Sequence, residues 1–491
     1  MWVLIGAFLL LMIVGVPIAV SMATASILYI LLYDVVPDVI VAQRMIAGVE
    51  SFPLIAVPFF TLAGNLMNIA GVESFPLLAV PFFILAGNLM NIAGVTGRIY
   101  DFALALVGWM KGGLAQVNII GSVIFSGMSG TAIADAAGIG TIEIKAMQDH
   151  GYSTEVAVGV TAVSATLGPI IPPSLPFVIY GMMANVSIGA LFLGGLIPGV
   201  VMTVLMMVTV AVLAYRNGWG SDAPFEWRRL GRAANEILVV ALFPVAVFAL
   251  TRMGLSLNMS VMFALTMLVA ADWWFDFDAV MALMTPVILI GGMTLGWFTP
   301  TEAAVAAVLW SLFLGLVRYR TMTLRALAKA SMDTIETTAS VLFIVTAASI
   351  FAWLLTVSQA AQLLSAWIFS LTDTPWIFLI LVNILLLIVG CFLDTIAAIT
   401  LFVPILLPVA IQFGIDPIHF GLILTLNLMI GLLTPPLGMI IFVLARISKL
   451  SVERTVAAVF PWLVPLFVAL IAITFIPQLT LWLPEAVGLS R

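Results

Sequence analysis

The sequence predicts an all-α polytopic membrane protein built from two inverted repeats, each with a re-entrant hairpin and a broken helix. Three observations predict it. Of the 491 residues, 64% are hydrophobic and 8% charged, whereas soluble domains run near roughly 45–50% and 25%. At about 20 residues per crossing, such a chain has length for about ten or more spans. The 38 glycines and 25 prolines are scattered through the apolar runs, so many of the helices must be interrupted. Finally, helix breakers recur at a fixed offset of 263 residues.

The same composition excludes other classes. A net charge of −6 spread over few, dispersed groups offers no basic face, so no nucleic-acid partner is expected. The single cysteine, Cys391, excludes an internal disulfide. With only His150 and His419 present, a histidine-based metal or haem site is not expected, and both are placed at membrane interfaces.

The first segment, MWVLIGAFLLLMIVGVPIAV, has no basic residue before Arg44 and reads as a membrane segment, not a cleaved signal peptide. A tandem copy follows at 47–95. AGVESFPLIAVPFFTLAGNLMNIAGV recurs as AGVESFPLLAVPFFILAGNLMNIAGV, differing only at Ile55/Leu78 and Thr61/Ile84. Structural arrays need about three or more varied copies, so this pair reads as a recent duplication or an artefact of the sequence. Each copy holds an apolar run slightly short of a full span. Parity of crossings predicts that one copy, the second, takes the transmembrane position and the other is displaced.

The segment GSVIFSGMSGTAIADAAGIG (121–140) is too polar and too rich in small residues for a lipid-facing span. It predicts a hairpin over 121–145 with its tip at Ser126-Gly127-Met128-Ser129-Gly130-Thr131. Unwound backbone at membrane depth must line a protein cavity; an ordinary helix with a small-residue packing face is the alternative. Asp135, four residues past Thr131, either caps or braces this hairpin. In SATLGPIIPPSLPFVIYG (164–181), Pro169, Pro172, Pro173 and Pro176 cannot sit in one continuous helix, which predicts a broken helix over 156–181. Its freed carbonyls are ligands for a hard cation. RNGWGSDAPFEWRRLGR (216–232) is the polar connector between the halves, and DWWFDFD (272–278) reads as an interfacial aromatic belt.

The second repeat, 233–491, supplies the counterparts of the first, 1–215. A hairpin over 384–408 holds Asp394 in an otherwise apolar stretch, where an ionisable residue is a functional candidate. A broken helix over 419–445 contains NLMIGLLTPPLG. Shifted by 263, Gly127 meets Gly390, Gly151 meets Gly414, Gly168 meets Gly431, and Pro172-Pro173 meets Pro435-Pro436. Only eight of the 53 positions between 127 and 179 are identical, but breakers set backbone shape, and short or interrupted hydrophobic segments at corresponding places in two halves point to a transporter's binding site. Half-helix N-termini would face an anion, and carbonyls Na⁺.

Charge predicts that the repeats are inverted. With 98–111, 145–155, 216–232, 318–329 and 446–454 on one side, 14 of the 17 Lys and Arg residues lie there, making that side cytoplasmic. The basic 446–454 loop maps to an uncharged 183–191, and 145–155 maps to 408–418, which has no Lys or Arg.

At PLLAVPFFILAGNLM (76–90), SGMSGTAIAD (126–135), GPIIPPS (168–174), GWFTPTEAA (296–304) and FLDTIAAITLFVPILLPVA (392–410) through TPPLG (434–438), the chain resembles the large membrane subunit of tripartite ATP-independent periplasmic (TRAP) transporters. The match follows family order across nearly the whole chain. The resemblance implies an elevator-type secondary transporter with a fold like that of the ion transporter superfamily. It would sit in the bacterial inner membrane and import a small organic acid such as a dicarboxylate, keto acid or sialic acid. It also implies two partners, a small four-helix membrane subunit and a periplasmic substrate-binding protein, and no cofactor beyond Na⁺ as coupling ion. One sodium site would use Ser126, Gly127, Ser129 and Gly168, and the other Gly390, Asp394, Gly431 and Thr434. Substrate would lie between the hairpin tips near Ser129, Thr131 and Thr395. The family's usual SGSA is SGTA here, a hydroxyl-preserving change at Thr131 expected to alter substrate fit more than sodium binding. The tandem copy has no family counterpart.

Two other readings compete. A related inverted-repeat carrier or antiporter would work without a binding protein. An intramembrane enzyme would need paired buried acids or His–Asp sets, and Asp394 has no obvious carboxylate partner in sequence, so no catalytic residue is assigned.

Overall fold

The computed structural model describes residues 2–33, 76–222 and 280–489, apart from 295–297 and 436–437, together with scattered residues between 226 and 269. The first tandem copy and the 272–278 belt lie outside the described residues. Every described element is a helix, as an apolar chain requires when backbone groups have no water to bond. Five described helices are long and apolar enough to cross a membrane, or up to seven if each of two bent pairs is one span. The chain is a multi-pass membrane protein.

The N-terminal segment divides at Val14–Pro17 into α1 (Trp2–Ile13) and α2 (Ile18–Tyr33). Helix α3 (Pro76–Ile92) is the second tandem copy. It buries Ala79, Val80, Phe83, Leu89 and Met90, and its Asn88 amide donates to Thr334 Oγ1 at 3.0 Å. Gly87 lets this helix reach the first hairpin, because a Cβ there would lie 3.4 Å from Ser129 Cα. The second copy is thus packed against the hairpin tip. After α4 (Val95–Val107) comes that hairpin: α5 (Gly113–Ser129), α6 (Ala132–Ala137) and α7 (Ile139–Asp149). The first broken helix is α8 (Thr154–Ser164), a tighter turn Ala165–Leu167, a break, and α9 (Leu175–Ala184). Helix α10 (Ile188–Asn217) then runs 30 residues, about 45 Å at 1.5 Å per residue.

Beyond the scattered described residues before 270, the second half continues with α11 (Val280–Pro286) and α12 (Pro300–Phe313), the latter started by a capping box between Thr299 and Glu302. After α13 (Leu324–Val357) and α14 (Ala360–Leu371) come the hairpin helices α15 (Pro375–Gly390) and α16 (Thr395–Gln412). The second broken helix is α17 (Pro417–Gly431) and α18 (Met439–Ser448), and the described chain closes with α19 (Val452–Val459), α20 (Leu463–Phe475) and α21 (Gln478–Val487).

Helix boundaries follow the 263-residue offset. Helices begin at Ala132 and Thr395 and at Thr154 and Pro417, and end at Asp149 and Gln412. Thr131 and Asp394 cap equivalent helices, as do Ser153 and Asp416. Gly151 and Gly414 both take the left-handed backbone, with φ of 86° and 74°. The hairpins and broken helices are longer than their polar cores suggest: 113–149, 154–184, 375–412 and 417–448 replace 121–145, 156–181, 384–408 and 419–445. Apolar flanks such as GLAQVNII continue each helix beyond the small-residue segment that marks it. The repeats also differ, since the first return arm breaks at Gly138 and the second is continuous.

The repeats pack reciprocally. Helix α9 lies on α16, and its counterpart α18 lies on α6. Fully buried Tyr180 donates to Pro417 O at 2.5 Å, and Gly421 leaves room for its ring. The connector grips the base of the first hairpin. Asp222 accepts from Leu114 N at 2.8 Å and from the Tyr152 hydroxyl at 2.6 Å. Burial, with this carboxylate beside it, holds the Tyr152 hydroxyl above the usual tyrosine range. His150 is exposed, whereas His419 is covered by the protein. It is buried in α17 with Nδ1 2.8 Å from Thr480 Oγ1, because α21 folds over it.

Candidate functional site

The first hairpin tip is made by two residues with opposite backbone habits. Gly130 ends α5 at φ 64°, a left-handed position that favours glycine. Thr131 then runs extended and caps α6, its Oγ1 accepting from Ala134 N at 3.2 Å, which satisfies an otherwise orphaned helix donor. The tip presses on the first break. A Cβ on Gly130 would fall 2.7 Å from Pro173 O, and Leu175 N donates to Gly130 O at 3.2 Å.

The break itself follows from its prolines. Lacking N–H groups, Pro172 and Pro173 deprive Gly168 O and Pro169 O of helical donors. Ser174 takes over at Pro169, donating at 2.5 Å, while its oxygen caps α9. Gly168 sits under the tip: a Cβ there would be 2.6 Å from Asp135 Oδ2 and 3.2 Å from Thr131 O.

Four residues were expected at this first site. Ser129 and Gly168 are bridged by buried Asp135, whose Oδ1 accepts from the Ser129 hydroxyl while Oδ2 faces Gly168. Asp135 therefore braces the hairpin and does not cap it. Gly127 faces the break and Pro286, since a Cβ on it would be 3.8 Å from Pro172 O and 2.8 Å from Pro286 Cβ. Ser126 is buried but turned back on its own helix, donating to Val123 O at 2.6 Å.

The second tip repeats the plan with different chemistry. Gly390 ends α15, and Gly431 ends α17 directly against it, so a Cβ on Gly431 would lie 2.5 Å from Gly390 Cα. Thr434 donates to Ile430 O at 3.0 Å and Gly431 O at 2.9 Å. Asp394 is half-buried and caps α16, its Oδ2 accepting from Ile396 N at 3.1 Å. Thr395 opens that helix with a buried Oγ1 that has no partner. Pro436 lies outside the described residues. Among the described residues, no hydrogen bond joins Ser129 or Thr131 to Thr395.

Beneath the tips lies a polar layer that the tip motifs do not reveal. Asn118 donates to Thr161 Oγ1 at 2.7 Å and accepts from Ser164 at 2.7 Å, and Ser122 donates to Ser164 at 3.0 Å. In the second repeat Asn427, the equivalent of Ser164, donates to Asn383 Oδ1 at 2.7 Å. Each hairpin is thus tied to its own broken helix just before the break. The i, i+4 spacing of Asn118, Ser122 and Ser126 is the sequence signal for this face. Glu143, buried beside Gly121 with both oxygens unpartnered, carries no such signal.

No group of three or more His, Cys, Asp or Glu able to hold a metal exists among the described residues. What the tips offer is backbone and hydroxyl oxygen with one carboxylate apiece, a donor set for a hard cation.

Known proteins share this plan. The family pattern described as "Tripartite ATP-independent periplasmic transporter, DctM component" matches residues 5–73 and 67–479. The two stretches meet inside the tandem copy, as they would if the pattern holds the segment once. The sialic acid TRAP transporter large permease protein SiaM of Vibrio cholerae is 38% identical over 471 residues, covering 96% of this chain and 95% of that one. The C4-dicarboxylate TRAP transporter large permease protein DctM of Pseudomonas aeruginosa is 35% identical over 472 residues, covering 96% and 95%. The crystal structure of the Alcanivorax borkumensis YdaH transporter, described as revealing an unusual topology, matches with a TM-score of 0.54 at 16% identity, over 88% of this chain and 89% of that one; it shows the fold alone. The chain belongs to the DctM component family of tripartite ATP-independent periplasmic transporters, a family of transport proteins and not of enzymes.

Proposed function

We propose that this protein imports a small organic acid across the bacterial inner membrane, driven by a sodium gradient. The repeats 1–215 and 233–491, joined through 216–232, each contribute one hairpin tip and one break. The observation that carries this reading is the meeting of tip and break in both repeats, seen most plainly where Gly431 touches Gly390. Backbone brought that close inside a membrane protein leaves carbonyl oxygens to be satisfied by a bound ion. Ser126, Gly127, Ser129 and Gly168 form the first sodium site, and Gly390, Asp394, Gly431 and Thr434 the second.

Substrate is held near Ser129, Thr131 and Thr395. The unpartnered Thr395 hydroxyl stands at the N-terminus of an 18-residue helix, where partial positive charge favours a carboxylate. The substrate class is that of the relatives, sialic acid and C4-dicarboxylates, extended to keto acids. A periplasmic binding protein delivers it, a small four-helix membrane subunit completes the membrane complex, and an elevator motion of the hairpins with their broken helices moves it. Uptake of labelled carboxylates into proteoliposomes holding both subunits, with the binding protein outside, tests this. Uptake should require an inward sodium gradient and the binding protein. Uptake without the binding protein would favour a self-sufficient carrier, and uptake indifferent to sodium would refute coupling.

A further inference from the structure

We propose that Asp135 is the anionic ligand of the first cation site, an inference that rests on the sodium reading above. Asp135 is 1% exposed. One of its oxygens accepts from the Ser129 hydroxyl, and the other is buried without a partner. That free oxygen faces Gly168, whose Cβ would lie 2.6 Å away. No Lys or Arg occurs between Lys111 and Lys145 or between Lys145 and Arg216, so neither the hairpin core nor the broken helix supplies a cationic side chain. A buried carboxylate with no partner is costly and must be neutralised in place. The break beside it holds Gly168, whose carbonyl has lost its helical donor to Pro172. A monovalent cation between Asp135 Oδ2, Ser129 Oγ and this backbone satisfies all three at once.

Comparison of the repeats points the same way. The residue 263 beyond Asp135 is Ala398, and the one 263 before Asp394 is Thr131. The backbone plan is shared, yet the acid has moved by one helical turn, leaving one carboxylate near each tip. In the second hairpin an oxygen of that acid is engaged by the helix N-terminus, through Ile396 N at 3.1 Å. In the first hairpin Thr131 does the capping, and the carboxylate is left to the ion. Glu143 also has unpartnered oxygens, but it lies beside Gly121, farther down the arm, and the acid that faces the break is Asp135.

The test is thermal unfolding of the purified full-length chain, titrated with NaCl against choline chloride at constant ionic strength. Asp135→Asn keeps an acceptor for Ser129 and removes only the charge. It should raise the half-stabilising sodium concentration by about tenfold or more, as ligand charge does for hard cations, while Asp135→Glu retains part of the response. Because the second site is intact in Asp135→Asn, only the first site's share of the response should shift. Sodium stabilisation equal to wild type in both amplitude and half-stabilising concentration would show that Asp135 only braces Ser129, and would overturn the proposal. If Asp135→Asn lacks a cooperative transition, Asp135→Asn/Thr131→Asp is read instead, with the acid where the second hairpin carries it. Recovery of a sodium response supports the proposal, and its absence overturns it. If the wild-type chain shows no sodium-specific stabilisation, the sodium reading itself fails; if only the Asp135 variants behave as wild type, the inference alone fails.

Discussion

Gly390 and Gly431 meet backbone to backbone, the second so close that a Cβ on it would fall 2.5 Å from the Cα of the first and 2.9 Å from its carbonyl oxygen. Neither φ is left-handed, so it is the approach and not the conformation that demands glycine. Gly431→Ala should therefore push hairpin and break apart, costing ~1–3 kcal/mol as overpacking does. Thermal unfolding in detergent should show the loss, and uptake should fall with it. Wild-type stability and uptake would mean that the contact is slack.

Thr395 tests the substrate side separately. Its hydroxyl has no partner in the protein, so Thr395→Val leaves no protein group orphaned and should fold normally. Apparent substrate affinity should weaken by about threefold to tenfold, the worth of one hydrogen bond of ~0.5–1.5 kcal/mol, with Thr395→Ser close to wild type. Unchanged affinity in the valine variant would remove Thr395 from the substrate site.

The layer below the tips is structural. Asn118→Ala removes the donor to the Thr161 hydroxyl and the short acceptor of Ser164 and should cost ~1–3 kcal/mol. Because Ser164 donates to Asn118 at 2.7 Å, the double variant with Ser164→Ala should cost less than the sum of the two. Strict additivity in denaturation experiments would show that the two do not act together.

Much of this was readable in the chain, for a physical reason. Breakers fix backbone shape whatever surrounds them, so an offset supported by only eight identities in 53 positions is one that the helix boundaries at 132/395, 149/412 and 154/417 also obey, although the sequence did not mark those boundaries. What local sequence could not carry depends on distant chain. His419 sits beside a turn in sequence, yet Thr480 covers it. Asp135 reaches Ser129 because Gly130 reverses the chain at φ 64°, and its open oxygen has meaning only once Gly168 lies over it. Element lengths were underestimated because apolar flanks extend a helix without marking it.

The duplicated segment makes its own prediction. The second copy packs on the first tip through Gly87. Deleting 48–70 leaves one full copy and should preserve both thermal stability and uptake. Loss of both would show that the extra copy is integral.

The most direct test concerns inversion, on which both sites depend. Positions 186 and 449 are equivalent under the 263-residue offset and lie just beyond α9 and α18. Val186→Cys and Lys449→Cys, each in a Cys391→Ser background, should react with a membrane-impermeant thiol reagent from opposite sides. Position 186 should label from the periplasm and 449 from the cytoplasm. Labelling of both from the same side would contradict the inverted repeat and, with it, the pairing of one hairpin tip and one break on each side of the transport path.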